Sequence, residues 1–200
     1  MKDFWNERYS EDGLAYGETP NEYLKQELAR FSNLKNVLVV GDGEGRNGVW
    51  LAEQGLDVTT VDYSQAGVDR AQALAKKRQV KMASLCEDMS QWQWPQNQFD
   101  AVVSIYVHFP PDLRAQIHHY MLQALKPGGF IFMEAFNKNQ LNYKSGGPPV
   151  EPMLFSEAIL RQDFAEADIE FIEESVQKLD EGKYHVGDGA VVRMIARRRF

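Results

Sequence analysis

The sequence predicts an α/β fold: a layered, mostly parallel sheet with helices on both faces, ending in an antiparallel hairpin. Three observations predict it. Short β-branched runs alternate with longer segments of helical periodicity, the pattern of a sheet whose strands are joined by crossover helices. A glycine-rich turn, Gly41-Asp42-Gly43-Glu44-Gly45, joins the first of these runs to a helix. The last two runs are joined only through Asp180-Glu181-Gly182. That link is too short for a crossover helix, so the two pair antiparallel and place one reversed strand in the sheet.

The elements follow in order. Thr19-Pro20-Asn21-Glu22 reads as a capping box with proline at the first helical position, opening a helix through about Phe31. Asn36 to Val40 is a buried strand, a helix runs from about Arg46 towards Gly55, and Asp57 to Asp62 is the second strand. A helix over Gln65 to Arg78 precedes a third strand, Lys81 to Cys86, and a tryptophan-bearing loop ending in Pro95 leads to a fourth, Phe99 to Ile105. The next helix starts at Pro110-Pro111 and stops at Lys126-Pro127-Gly128-Gly129, because proline cannot continue it and glycine accepts the left-handed exit. Phe130 to Phe136 is the fifth strand. Residues 137–152, rich in Gly, Pro and Asn, read as a lid or a disordered loop. A short helix from Ser156 to Phe164 precedes the final strands, Ile169 to Lys178 and Ala190 to Arg199.

A chain of 200 residues without internal repeats fits one domain, 1–200, with one core. No run approaches the roughly 18 apolar residues of a membrane span. The opening residues mix acids, bases and aromatics with no apolar stretch ending in small residues, which makes the cytoplasm the expected location. Cys86 is the only cysteine, which excludes an intrachain disulfide and a multi-cysteine zinc site and suggests a buried structural thiol. A net charge of −7 argues against nucleic-acid binding. The four histidines lack a tight pattern of carboxylate partners, so no metal site is expected.

The chemistry concentrates at one edge of the sheet. Val37 to Asn47 is a strand, a glycine turn and a helix start, which suits an anionic or carboxylate-bearing ligand at the helix N-terminus. Asp62 closes the second strand about 20 residues later, where an acid can take both hydroxyls of a ribose. Gly43 to Gly48 also satisfies the dinucleotide pattern G-x-G-x-x-G, so a nicotinamide-dependent oxidoreductase is the rival reading. Glu87-Asp88-Met89 either contacts an adenine or forms a solvated acidic turn. Tyr106 and His108 follow the fourth strand at the carboxyl edge, where open α/β sheets place their ligands. His108 either orients or deprotonates a substrate or packs against the Pro110 helix. Glu181 and His185 lie in the final hairpin turn, at the same edge. His118 and His119 read as solvated.

With these residues in hand, the chain resembles class I S-adenosylmethionine-dependent methyltransferases over nearly its whole length. The resemblance rests on Val40 to Arg46, Val61-Asp62-Tyr63-Ser64, Glu87-Asp88-Met89, Phe99 to Ser104 and Leu125-Lys126-Pro127-Gly128-Gly129. Within that class it is similar to the tellurite-resistance and thiol methyltransferase-like branch, through Trp5-Asn6-Glu7-Arg8-Tyr9, Tyr16-Gly17, Gly43 to Asn47, Val107-His108-Phe109-Pro110, Gly146-Gly147-Pro148, and Glu181-Gly182 with His185-Val186-Gly187. One departure is Val39, where the family usually carries an acid that braces the glycine loop.

The resemblance implies a Rossmann-like, seven-stranded sheet and transfer of a methyl group from S-adenosylmethionine, leaving S-adenosylhomocysteine, to a small-molecule nucleophile such as a thiol or tellurite. It implies a cofactor site made of Tyr9, Tyr16, Gly41, Asp42, Gly43, Gly45, Arg46, Asp62, Tyr63, Asp88, Met89 and Ser104, under an N-terminal helical cap over 1–35. Tyr9 and Tyr16 either face the sulfonium with their rings or simply pack. Tyr106, His108 and His185 are the catalytic candidates, and no metal is required. A protein that binds the cofactor without transferring its methyl group is the third reading.

Overall fold

A computed structural model describes residues 2–200. Among the described residues the sheet has seven strands: β1 (Asn36–Val40), β2 (Asp57–Asp62), β3 (Ala83–Cys86), β4 (Phe99–Ile105), β5 (Leu125–Phe136), β6 (Ala167–Glu181) and β7 (His185–Arg198). Six α-helices accompany it there: α1 (Lys2–Ser10), α2 (Glu22–Leu28), α3 (Arg46–Glu53), α4 (Gln65–Arg78), α5 (Pro111–Ala124) and α6 (Glu157–Asp163). The strand order is β3-β2-β1-β4-β5-β7-β6, with β7 alone reversed. This is a mostly parallel, Rossmann-like sheet with an antiparallel end. No helix among the described residues is long and apolar enough to cross a membrane.

β1 shows why the sheet is covered on both sides. Its Val37-Leu38-Val39-Val40 run is buried throughout, as a strand between two helical layers must be. Leu38 and Val40 join the cluster that includes Ile117, Met121, Leu160 and Phe164 of α5 and α6 with its flank. Val37 and Val39 join Tyr23, Leu24 and Leu28 of α2 and Leu51 of α3. Phe132 of β5, fully buried on that second face, meets Phe31 edge-on with ring centroids 5.0 Å apart. Phe132→Ala is expected to cost about 3–5 kcal/mol of stability, the usual range for a deleted buried phenylalanine. Urea unfolding measures it, and a loss below about 1 kcal/mol would show that this layer collapses around the cavity.

Several boundaries differ from the sequence expectation for physical reasons. The capping residue of α2 is Asn21, whose Oδ1 accepts from Leu24 N at 2.9 Å, so Thr19 and Pro20 lie outside the helix. α1 is a helix with no amphipathic stripe to announce it; Asn6 Oδ1 anchors it by accepting from Ser64 Oγ at 2.7 Å. β5 begins at Leu125 because Leu125 pairs with Phe99 before a register shift, after which Phe130 pairs with Ala101.

The hairpin strands run further than expected, so that Glu181 and His185 form the last pair of the ladder. Since β6 is parallel to β1, this turn lies at the same edge as the ends of β1, β2 and β4. Residues 137–152 are built rather than loose. They carry short 3-10 turns at Lys138–Asn142 and Glu151–Met153, and Gln140 ties them to the sheet. Its amide donates to Ser145 Oγ and to the Gly146 carbonyl while its oxygen accepts from Ala190 N at 2.7 Å.

Candidate active site

A cavity of about 600 Å³ opens at the carboxyl edge of the sheet. Its first wall is the turn after β1. Gly41 (φ 64°) needs its left-handed backbone and its bare Cα, since a Cβ there would come within 2.6 Å of Val107 Cγ2. Gly43 (φ 57°) lets the Tyr9 ring lie against the turn, where a Cβ would collide with the Tyr9 hydroxyl. Asp62, at the end of β2, accepts from Gly43 N on Oδ2 and from Ser64 N on Oδ1, both at 2.9 Å. Burial raises its pKa against these two hydrogen bonds.

Asp42 accepts from Gly48 N at 3.2 Å, while its Oδ2 is buried without a partner. Burial, reinforced by the Asp62 charge, pushes its carboxyl up to about 7. The loop that lacks an acid at Val39 is therefore braced by Asp42 on Gly48 and by Asp62 on Gly43.

After β3, Asp88 folds back on Ser90, accepting from its N and its Oγ at 2.9 and 2.7 Å. Those hydrogen bonds lower its pKa. The Met89 carbonyl accepts from Trp94 Nε1 at 2.8 Å, so the tryptophan loop fixes the backbone that presents Met89 to the cavity.

The N-terminal segment roofs the cavity. Trp5 stacks on Tyr9 at 5.4 Å, and Tyr16 lies 4.5 Å from the His185 ring. Glu44 holds the segment down, accepting from Ala15 N and pairing with Arg70, both at 2.7 Å. The Arg8 guanidinium covers the Tyr184 ring at 3.7 Å.

The far end of the cavity holds a cluster of ionisable groups. His185 Nδ1 faces Glu181 Oε2 at 3.4 Å, and that oxygen also accepts from Arg46 Nη2 at 3.0 Å. Burial alone would raise the Glu181 carboxyl, but His185 and Arg46 outweigh it and bring it down to about 2. Burial lowers the His185 pKa and Glu181 opposes it. No described group hydrogen-bonds His185 Nε2, and the ring lines the cavity. Tyr106 (φ 57°) sits in a left-handed conformation that costs on the order of 1–3 kcal/mol in a residue with a Cβ. It is held by its N–H on the Glu134 carbonyl and its hydroxyl on Glu134 Oε1, both at 2.7 Å. Its ring meets His185 edge-on at 4.5 Å.

The structure thus brings Tyr9, Tyr16, Gly41, Asp42, Arg46, Asp62, Tyr63, Asp88, Met89, Tyr106, His108 and His185 around one cavity. Three expected cofactor residues do not line it. Gly43 packs under Tyr9, Gly45 caps α3 against Ala71, and Ser104 is buried within β4. Two histidine expectations are corrected. His108 lines the cavity but has no free nitrogen: Nδ1 donates to the Met153 carbonyl at 2.8 Å and Nε2 accepts from Phe136 N at 3.2 Å. Burial brings it down to about 4, so it is a neutral strut rather than a proton acceptor.

His118 is fully buried, not solvated, with Nδ1 on Asp163 Oδ2 at 2.8 Å and its ring stacked on Phe164. Cys86 is only half-buried, its thiol 3.7 Å from the Tyr63 carbonyl. Among the described residues no group of three His, Cys, Asp or Glu side chains is arranged to hold a metal ion. Sequence reasoning missed Glu134 and Asn21, which buttress Glu181 from behind. An acid inside the apolar run Phe130 to Phe136 was the available signal, since a buried carboxylate requires partners.

The residues fit an adenosyl cofactor. Gly41 gives a close approach to the backbone, Asp62 stands at the end of β2, and aromatic rings suit a sulfonium. Fold and site together resemble those of S-adenosylmethionine-dependent methyltransferases. Residues 37–129 match the family model described as a methyltransferase domain. The ubiquinone biosynthesis O-methyltransferase of Idiomarina loihiensis is 34% identical over 123 residues, 60% of this chain and 50% of the relative. That of Rickettsia akari is 26% identical over 149 residues, 72% of this chain and 59% of the relative. The chain spans about half the length of these curated relatives.

Among solved structures, a protein of echinomycin biosynthesis that converts a disulfide bond into a thioacetal group superposes with a TM-score of 0.79 at 20% identity, covering 98% of this chain and 89% of its own. TehB from Haemophilus influenzae superposes with 0.71 at 18% identity, covering 99% and 67%. At these identities the superpositions speak for the fold alone. The nicotinamide reading loses support, because Gly45, the second glycine of the G-x-G-x-x-G pattern, packs against Ala71 instead of lining the cavity. The strand order also departs from the dinucleotide-binding order 3-2-1-4-5-6 by the inserted β7.

Proposed function

We propose that this protein transfers the methyl group of S-adenosylmethionine to a hydroxyl group of a small aromatic acceptor, with His185 taking the hydroxyl proton. The observation that carries the proposal is His185 itself: Nδ1 on a carboxylate, Nε2 open, at the aromatic end of the cavity. Of the residues that would hold the cofactor, Gly41, Asp42, Asp62, Tyr63, Asp88 and Met89 form one end and Tyr9 with Tyr16 the roof. When bound, S-adenosylmethionine supplies an electrophilic methyl group on a sulfonium.

The chain's own residues do the rest. Glu181 holds Nδ1–H and so leaves the Nε2 lone pair facing the acceptor. Burial keeps that imidazole neutral near pH 7, ready to receive a proton. Tyr106, Phe136 and Tyr184 form flat apolar walls that orient a ring and exclude water. An acceptor that is already an oxyanion, such as tellurite, would leave His185 no proton to take. O-methylation, the activity by which the curated relatives are named, agrees with a hydroxyl acceptor.

The test is release of S-adenosylhomocysteine when the protein and S-adenosylmethionine are offered a catechol, a small aliphatic thiol and tellurite in parallel. The expected order places the catechol first. Turnover of the thiol or tellurite alone would overturn the acceptor class. Cofactor binding without turnover of any member would favour a binding protein over an enzyme.

A further inference from the structure

We infer that Asn21 is a positioning residue: its side-chain amide joins the carboxylates of Glu134 and Glu181 and thereby sets the orientation of His185. The inference rests on the reading of His185 as the proton acceptor. Asn21 Nδ2 donates to Glu134 Oε1 at 2.7 Å and to Glu181 Oε1 at 3.0 Å, one N–H to each. Its Oδ1 is committed to Leu24 N at 2.9 Å, which fixes the amide so that the NH2 group must face the two acids. Its backbone N–H donates to Asn47 Oδ1 at 2.9 Å. Asn21 is 2% exposed, so water does not substitute for any of these bonds.

The two acids otherwise have separate partners. Glu134, 1% exposed, accepts from the Tyr106 hydroxyl and pairs with Arg193; Glu181 faces Arg46 and His185. Two carboxylates brought together out of water repel, and a donor with two N–H groups is what lets them sit side by side. With Oε1 tied to Asn21, Glu181 presents Oε2 to both Arg46 and His185 Nδ1. Without the amide, Glu181 is free to turn both oxygens to the Arg46 fork, the geometry a guanidinium favours, and to release Nδ1. The imidazole then loses the neighbour that strengthens its hold on a proton.

Asn21 also follows directly on the segment whose Tyr9 and Tyr16 roof the cavity. The proton acceptor is thus oriented by the same stretch of chain that closes over the cofactor.

Asn21→Ser separates the two roles of this residue, because serine caps a helix about as well as asparagine but has no amide to bridge the acids. The experiment follows the His185 ring proton by NMR through a pH titration of the full chain, with His185→Gln identifying the resonance. S-adenosylhomocysteine affinity, by calorimetry, and the melting temperature are read alongside. In Asn21→Ser the His185 midpoint is expected at lower pH than in the parent. An unchanged midpoint in a folded, cofactor-binding Asn21→Ser overturns the inference.

Should the serine variant fail to fold, Asn21→Asp keeps both cap and shape while replacing the donor by a third carboxylate. The His185 midpoint is then expected to depart from the parent's, and an unchanged midpoint again overturns the inference. Failure of the parent to bind S-adenosylhomocysteine would count against the methyl-transfer reading, which the His185 titration does not depend on.

Discussion

Asp62→Ala is expected to lose about two to four orders of magnitude in S-adenosylhomocysteine affinity, the effect of removing two charge-assisted hydrogen bonds of about 1.5–3 kcal/mol each. The site makes this side chain do two jobs. Its oxygens line the cavity, where they can accept from the ribose hydroxyls, and they already hold Gly43 N and Ser64 N. Alanine therefore strips the ribose contact and also releases the glycine turn and the first residues of α4.

Asp62→Asn separates the jobs, because its single acceptor oxygen can keep one backbone N–H while the charge is lost. It is expected to bind between the parent and alanine. Calorimetry with S-adenosylhomocysteine and, in parallel, NAD measures the effect. Alanine binding within about threefold of the parent would remove Asp62 from the cofactor site, and NAD binding in place of S-adenosylhomocysteine would overturn the cofactor assignment itself.

Much of this arrangement is legible in the sequence where the signal is local. The glycine turn, the acid at the end of β2 and the short link before the last strand each constrain the backbone by themselves, and the cavity forms where they meet. What is not legible depends on partners far along the chain. Glu134 becomes intelligible only when Asn21, Tyr106 and Arg193 converge on it. His118 and His119 look alike as neighbours, yet the stripe formed by His118, Met121, Leu122 and Leu125 at helical spacing turns His118 inward.

His108 reads as a chemical group because it follows β4. Its two nitrogens instead satisfy the backbone at Met153 and Phe136, a role that only the folded loop over 137–152 creates. α1 shows no helical periodicity in the sequence because anchors such as Asn6, rather than an apolar stripe, hold it in place.

His185→Gln is expected to lower kcat on the accepted phenol by about 10²–10⁴, the usual contribution of a positioned general base, with cofactor affinity within about twofold. Glutamine keeps a polar group near Glu181 but offers no nitrogen of comparable basicity, so the loss reports proton transfer rather than packing. The pH profile makes the assignment specific. Burial lowers the His185 pKa below the ordinary imidazole value, against the influence of Glu181.

The neutral, active form is then lost only on the acid side: kcat/KM in the parent is expected to stay level through neutral pH and to fall only below the ordinary imidazole value, and this acid limb disappears in His185→Gln. Glu181→Gln removes the neighbour that raises the imidazole pKa, so its acid limb moves to lower pH while the maximal rate also falls. Retention of more than about a third of the parent rate by His185→Gln, with the acid limb intact, would transfer the proton-accepting role elsewhere. His108 is fully hydrogen-bonded and Tyr106 donates to Glu134, so neither is free to take it over.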